Sequence, residues 1–168
     1  MEGAIEFTDR FAGVQRATKE ERGGDFVVYK SDGTPAYQLA VVIDDAAMEI
    51  TEVLRGDDLI PSTFRQLELY EFFERRPPEF IHVPLVVGPD GRRLAKRHGD
   101  TRLQSIRQAG VAAESLLGLL AQSSGLRPTA SPTSARDLLR DFSLERLPRS
   151  PLVLTREMLA SIGYEADS

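Results

Sequence analysis

Residues 50–87, ITEVLRGDDLIPSTFRQLELYEFFERRPPEFIHVPLVV, carry the pattern that decides the architecture. Ile50–Arg55 alternates apolar and polar residues, as a half-buried strand does. Ser62 or Thr63 can cap a helix running to about Arg75, with Leu67, Tyr70 and Phe73 on one side, and Pro77-Pro78 stop it. Phe80–Val87 is a second apolar run, interrupted by Pro84, which predicts an edge or a bend. Strand, helix and strand in that order predict a right-handed crossover between parallel strands.

Upstream, Phe7–Gly13 reads as a short strand ending at a glycine, and Ala17–Gly24 as a charged loop. Asp25–Lys30 (DFVVYK) has the β-branched and aromatic content of a strand and precedes the turn tetrad Ser31-Asp32-Gly33-Thr34. Tyr37–Met48 stays open: Val41-Val42-Ile43 suits a buried strand, whereas the length and the alanines suit a helix. Downstream, Gly88-Pro89-Asp90-Gly91 is a turn, and after Arg102 the pattern becomes helical. Ala112–Gln122 is apolar at helical period and ends near Gly125, and residues 127–133 form a Pro/Ser/Thr connector. Ser134 with Asp137 makes a capping box for Ala135–Phe142, and Thr155 caps a last helix that stops near Gly163. No internal repeat is present. The chain therefore reads as an α/β part over residues 1–103 and a helical region over 104–168.

Bulk properties narrow the function. A net charge of −5 argues against a protein that coats nucleic acid along its whole surface, although Arg92, Arg93, Lys96, Arg97 and Arg102 form a local basic cluster. The chain has no cysteine, which excludes disulfides, thiolate catalysis and Cys-ligated zinc within it. Residues 1–24 lack a signal-peptide core and no run is long enough to span a membrane, so a cytoplasmic location is expected. Neither a dinucleotide-binding GxGxxG nor a GxxxxGK[ST] phosphate loop occurs, and no serine sits in a GxSxG elbow. His82 and His98 lie far apart in sequence with no clear carboxylate cluster, so no metal site is expected.

Five motifs stand in a fixed order: Tyr37-Gln38-Leu39-Ala40-Val41-Val42-Ile43-Asp44-Asp45, Ile50-Thr51-Glu52-Val53-Leu54-Arg55-Gly56-Asp57-Asp58, Ser62-Thr63-Phe64-Arg65-Gln66, His82-Val83-Pro84-Leu85, and Pro89-Asp90-Gly91-Arg92-Arg93-Leu94-Ala95-Lys96-Arg97. Together they resemble the glutamyl-tRNA synthetase family of class I aminoacyl-tRNA synthetases, from about Phe7 to Gly163 and most closely over residues 25–103. Phe64 replaces the proline that the family has in the third motif. The resemblance implies α/β architecture, the second half of a class I Rossmann-like catalytic domain followed by a small helical region. It implies that Tyr37 and Arg55 contact glutamate, a task that suits a guanidinium able to make paired, charge-assisted bonds to a carboxylate. It places Arg93, Leu94, Ala95, Lys96 and Arg97 in the ATP-facing KMSKS-type loop, with Lys96 as its catalytic second lysine, neutralising triphosphate charge. Arg93 stands where the first lysine is usual, and Ala95 where serine is. The Asp44-Asp45 pair is expected to order the site or meet the tRNA end.

The resemblance further implies ATP as substrate, with magnesium, and glutamate and tRNA as partners, the tRNA being tRNA(Glu) or tRNA(Asp). Leu147-Pro148-Arg149-Ser150-Pro151 and Leu154-Thr155 resemble the ends of the short glutamyl-Q subgroup, which attaches glutamate to queuosine of tRNA(Asp). The family's HIGH-type motif and its first glutamate-contacting arginine fall before the matched region. Any zinc-binding insert would fall there too. The expectation is a catalytic piece inactive without an N-terminal half; the alternative is a non-enzymatic module that keeps the fold and binds tRNA or another synthetase.

Overall fold

A computed structural model describes residues 3–94 and 102–165, and the chain divides into two compact units between Val83 and Pro84. The change of sequence character falls later, near residue 103.

The first unit opens with an antiparallel hairpin, β1 (Ile5–Asp9) and β2 (Gly13–Ala17), rather than the single strand expected over Phe7–Gly13. Asp9 pairs with Gly13 across a three-residue loop, and Gly13 takes φ +79°, a conformation that glycine reaches without a Cβ penalty. The stretch Asp25–Lys30, expected as a strand, forms none. Only Tyr29 bridges to Pro35, around the turn that Gly33 closes by donating to Lys30 O at 3.0 Å. β-Branched content makes a strand only where a neighbouring edge is available, and here Val27 and Tyr29 stay exposed.

The ambiguity over Tyr37–Met48 resolves as helix α1 (Tyr37–Ala47), which buries Leu39 and Val42. β3 (Glu52–Gly56), a 3-10 turn at Asp57–Leu59, α2 (Ile60–Phe72) and β4 (Glu79–Val83) form the expected strand–helix–strand unit, with β3 and β4 parallel in register Arg55 to His82. Neither Ser62 nor Thr63 caps α2. The helix grows directly out of the 3-10 turn with Pro61 in its first turn, where proline's missing N–H costs no hydrogen bond, and Thr63 is fully buried inside it. It also ends earlier than Pro77-Pro78 suggests: Glu74 adopts φ +52° and Arg75 N–H closes onto Tyr70 O at 2.8 Å. Phe64 is a core residue with Ile5 and Ala17, its ring 5.2 Å from Phe7 edge-on. Burying a side chain of that size stabilises by about 2–3 kcal/mol. A second cluster joins Val42 of α1 to Leu69 and Tyr70 of α2.

The second unit has a short parallel pair, β5 (Val86–Val87) and β6 (Leu152–Val153), and helices α3 (Leu103–Gln108), α4 (Ala113–Ser123), α5 (Ala135–Asp141) and α6 (Arg156–Ala160). Ser134 and Thr155 cap α5 and α6 as read from the sequence, accepting from Asp137 N and Met158 N. Ile106, Leu119, Leu159 and Tyr164 make the core. Gly118 of α4 presses on the connector: a Cβ there would lie 2.3 Å from Ser131 O and 2.8 Å from Ala130 O. Gly118→Ala is therefore expected to destabilise the chain by about 1–3 kcal/mol in urea unfolding. An unseated connector would reverse the sign, because alanine favours an open helix by about 1 kcal/mol.

Candidate functional site

Parallel pairing of β3 with β4 sets Arg55 and His82 side by side, and α2 lays Thr63 and Gln66 beside them. Arg55 Nε donates to His82 Nε2 at 2.9 Å. Its Nη2 reaches Thr63 Oγ1 at 2.6 Å, Gln66 Oε1 at 2.9 Å and Leu59 O at 3.4 Å. The guanidinium carbon lies 5.3 Å from the centroid of Phe80, and the His82 ring stacks on the same phenyl at 6.1 Å. Gln66 Nε2 in turn donates to Gln38 Oε1 at 2.9 Å, and Gln38 Nε2 to Ser62 Oγ at 3.1 Å, which couples α1 to α2.

The network ends on Asp9, which the hairpin turn presents. One carboxylate oxygen accepts from Phe11 N at 2.9 Å and Ala12 N at 2.7 Å; the other lies 2.7 Å from His82 Nδ1, and His82 N–H donates to both at 3.1 Å. Asp9, Thr63, Gln66 and His82 are all buried. Burial pushes the Asp9 carboxyl up, but the amide of Ala12, the His82 side chain and the amides of His82 and Phe11 outweigh it and hold it below its ordinary range. Burial pushes the His82 imidazole down, and the Arg55 charge adds to that against the opposing bond from Asp9. His82 thus has one carboxylate partner, 73 residues away in the sequence. Among the described residues no group of three or more His, Asp or Glu is placed to hold a metal ion.

Arg55 is half-buried, and burial lowers its pKa from the usual value, opposed by Tyr37, Asp45, Asp9 and Asp58. Tyr37, the first residue of α1, and Asp45, two turns on, are thus the electrostatic neighbours that α1 brings to it. Both hydrogens of Nη2 and the one on Nε are engaged inside the protein, whereas Nη1 has no hydrogen-bond partner among the described residues. The guanidinium therefore offers one nitrogen outward, not the two-nitrogen fork that the arginine's chemistry suggested. Asp45 is held above its ordinary carboxylate range by burial and by Asp44, against the pull of Arg55. Tyr70 is raised to about 12 by burial, its buried hydroxyl without a partner among the described residues.

Of the loop residues, Arg93 bridges to Val87, and Arg92 N–H donates to Asp90 Oδ1 at 3.0 Å within the Gly88–Gly91 turn. Leu94 is described and half-buried. Ala95, Lys96 and Arg97 lie outside the described residues, as does His98. Two cavities of the first unit, about 470 and 640 Å³, are lined by other residues and contain neither Tyr37 nor Arg55. The sequence motifs contain Gln38, Thr63 and Gln66 without giving them a part in the site, and Asp9 was missed altogether. The Asp-x-x-x-Gly spacing of Asp9 and Gly13, which suits a side-chain-braced turn, was the local signal for it.

Residues 1–160 match the family model for the catalytic domain of class I tRNA synthetases of the E and Q type. A glutamyl-Q tRNA(Asp) synthetase of Symbiobacterium thermophilum is 49% identical over 159 residues, 95% of this chain and 49% of that protein. A glutamate–tRNA ligase of Pseudothermotoga lettingae is 42% identical over 131 residues, 77% of this chain and 28% of the relative. The chain thus spans about half the length, or less, of the curated relatives it matches. A glutamate tRNA ligase from Elizabethkingia meningosepticum, crystallised with its amino acid, shares the fold at TM-score 0.80 and 24% identity, over 96% of this chain and 36% of that one. Among the described residues no helix is long and apolar enough to cross a membrane. The motifs, the strand–helix–strand unit that carries them and these similarities agree: the chain belongs to the class I aminoacyl-tRNA synthetases of the glutamate and glutamine type, within their catalytic domain.

Proposed function

We propose that this chain supplies the glutamate-binding and loop-bearing part of a site that activates glutamate with ATP and passes it to tRNA. Tyr37 and Arg55 hold the amino acid; Arg93, Leu94, Ala95, Lys96 and Arg97 form the loop over the triphosphate. In the reaction a glutamate carboxylate oxygen bonds to the α-phosphorus of ATP as the bond to pyrophosphate breaks. A tRNA hydroxyl then takes the glutamyl group and AMP leaves. The observation that carries this reading is the braced guanidinium of Arg55, with Nη1 left without a hydrogen-bond partner among the described residues. Magnesium would supply charge neutralisation when ATP is bound.

Queuosine of tRNA(Asp) is the favoured acceptor, because four glutamyl-Q relatives at 44–49% identity accompany glutamate–tRNA ligases at 42%. Contact with RNA phosphates is supported by charge: residues 84–168 carry 12 Lys/Arg against 9 Asp/Glu, whereas residues 1–83 carry 9 against 17. Such a reaction belongs in the cytoplasm. The substitutions Arg93 and Ala95 in the loop favour a second reading, a tRNA-binding module that performs no chemistry.

Glutamate titration followed by NMR tests the amino-acid assignment. Saturable shifts at Tyr37 and Arg55 are expected, with Arg55→Lys weakening binding about tenfold or more, since one charge-assisted bond contributes about 1.5–3 kcal/mol. Tyr37→Phe is expected to cost less. Equal affinity in wild type and Arg55→Lys refutes the assignment.

A further inference from the structure

We propose that His82 is a positioning residue for Arg55, locked by Asp9 into the neutral tautomer whose bare Nε2 accepts the Arg55 Nε–H and turns Nη1 toward the ligand. The inference deepens the glutamate reading and rests on it for the ligand, but not for the relay itself.

The proton positions follow from donor and acceptor inventory. A guanidinium in a protein is always protonated, so Arg55 Nε carries a hydrogen and has no lone pair to offer. At 2.9 Å, His82 Nε2 must be the acceptor, which leaves the ring proton on Nδ1. That nitrogen faces Asp9 Oδ2 at 2.7 Å, an acceptor. An imidazolium would set N–H against N–H and one cation against another. Thr63 Oγ1, 3.2 Å from the same Nε2, accepts from Arg55 Nη2 and sends its own proton to Leu59 O at 3.3 Å. Every atom then has one consistent role.

The brace matters because Arg55 is a long side chain that loses rotamer freedom when it is held, and a ligand binds better when that ordering precedes it. Phe80 floors the imidazole and the guanidinium, His82 holds Nε, and Thr63 with Gln66 hold Nη2, so rotation about the last torsions is blocked from three sides. Asp9 acts at one remove. Its carboxylate is set by the turn amides of Phe11 and Ala12, so the β1–β2 hairpin determines the tautomer of a histidine on β4. No motif of the sequence contains Asp9.

The test needs the wild-type chain and three variants. Long-range proton–nitrogen NMR at neutral pH should show His82 as the Nδ1–H tautomer, with a slowly exchanging Arg55 Nε–H. His82→Phe keeps ring size but removes the acceptor, so that Nε–H signal should be lost and glutamate affinity should fall about tenfold. His82→Gln, whose amide oxygen can reach the same donor, should restore both to within about threefold. Asp9→Asn keeps volume but points an amide donor at Nδ1, and should flip the ring to the Nε2–H tautomer. An Nε2–H tautomer in the wild type overturns the proposal without reference to any variant's stability. Equal losses in His82→Phe and His82→Gln also overturn it, as that is what a purely structural histidine gives. If the tautomer and the Nε–H behave as expected but glutamate does not bind, the relay stands and the ligand assignment alone falls.

Discussion

Asp9→Ala is expected to destabilise the chain by about 3–5 kcal/mol, because each buried N–H donor left without its acceptor costs about 1–3 kcal/mol. The Asp9 side chain is 0% exposed and its carboxylate satisfies four N–H groups, those of Phe11, Ala12, His82 and the His82 ring. Alanine leaves them desolvated with no acceptor, and it frees the imidazole to adopt the wrong tautomer against Arg55. Against a typical total of about 5–15 kcal/mol, that loss brings the first unit close to unfolding at room temperature. Urea unfolding measures it, and a loss under about 1 kcal/mol would show that the network is solvated. The same network sets a pH dependence. Asp9 is depressed below its ordinary 3.8 in the fold, so its contribution is present above that value and is lost as pH falls through the folded pKa. His82 is depressed below 6.5, so the unfolded chain takes up a proton there that the folded chain refuses. Stability should therefore begin to fall below about pH 6.5 and continue into the carboxylate range. In His82→Gln the decline should start only in the carboxylate range.

The 168-residue chain, expressed by itself, is expected to give no measurable glutamate-dependent pyrophosphate exchange. Transition-state stabilisation needs ATP held in line with the glutamate carboxylate, and positioning of that kind supplies about 7–11 kcal/mol of a barrier. The family resemblance puts the groups that grip adenine and phosphates in the half of the relatives that this chain does not match. Mixing with the N-terminal half of a relative such as the Symbiobacterium protein should restore exchange. In that mixture Lys96→Ala should cost about a hundredfold or more in rate, through lost charge stabilisation, while leaving unfolding nearly unchanged. Robust exchange from the lone chain would overturn the reading, and a null result in every mixture would favour the module without chemistry.

The sequence by itself determined the parallel strand–helix–strand unit, the helix caps at Ser134 and Thr155, and the family. Each depends on local spacing: alternation at β3, an oxygen-bearing side chain ahead of a helical turn, five motifs in order. It did not determine Asp25–Lys30, since a strand-like composition becomes a strand only with an edge to pair, and the chain supplies none there. Nor did it settle Tyr37–Met48, whose apolar run fits either period until α2 provides a helix surface to pack on. Thr63 looked like a cap because hydroxyls favour helix starts, yet Pro61 and the preceding 3-10 turn moved the start upstream and turned that hydroxyl onto Arg55. Arg55 was singled out by its motif. What holds it was not legible, because Asp9 and His82 are 73 residues apart and only the pairing of β3 with β4, and the turn after β1, bring carboxylate, imidazole and guanidinium into one line of hydrogen bonds.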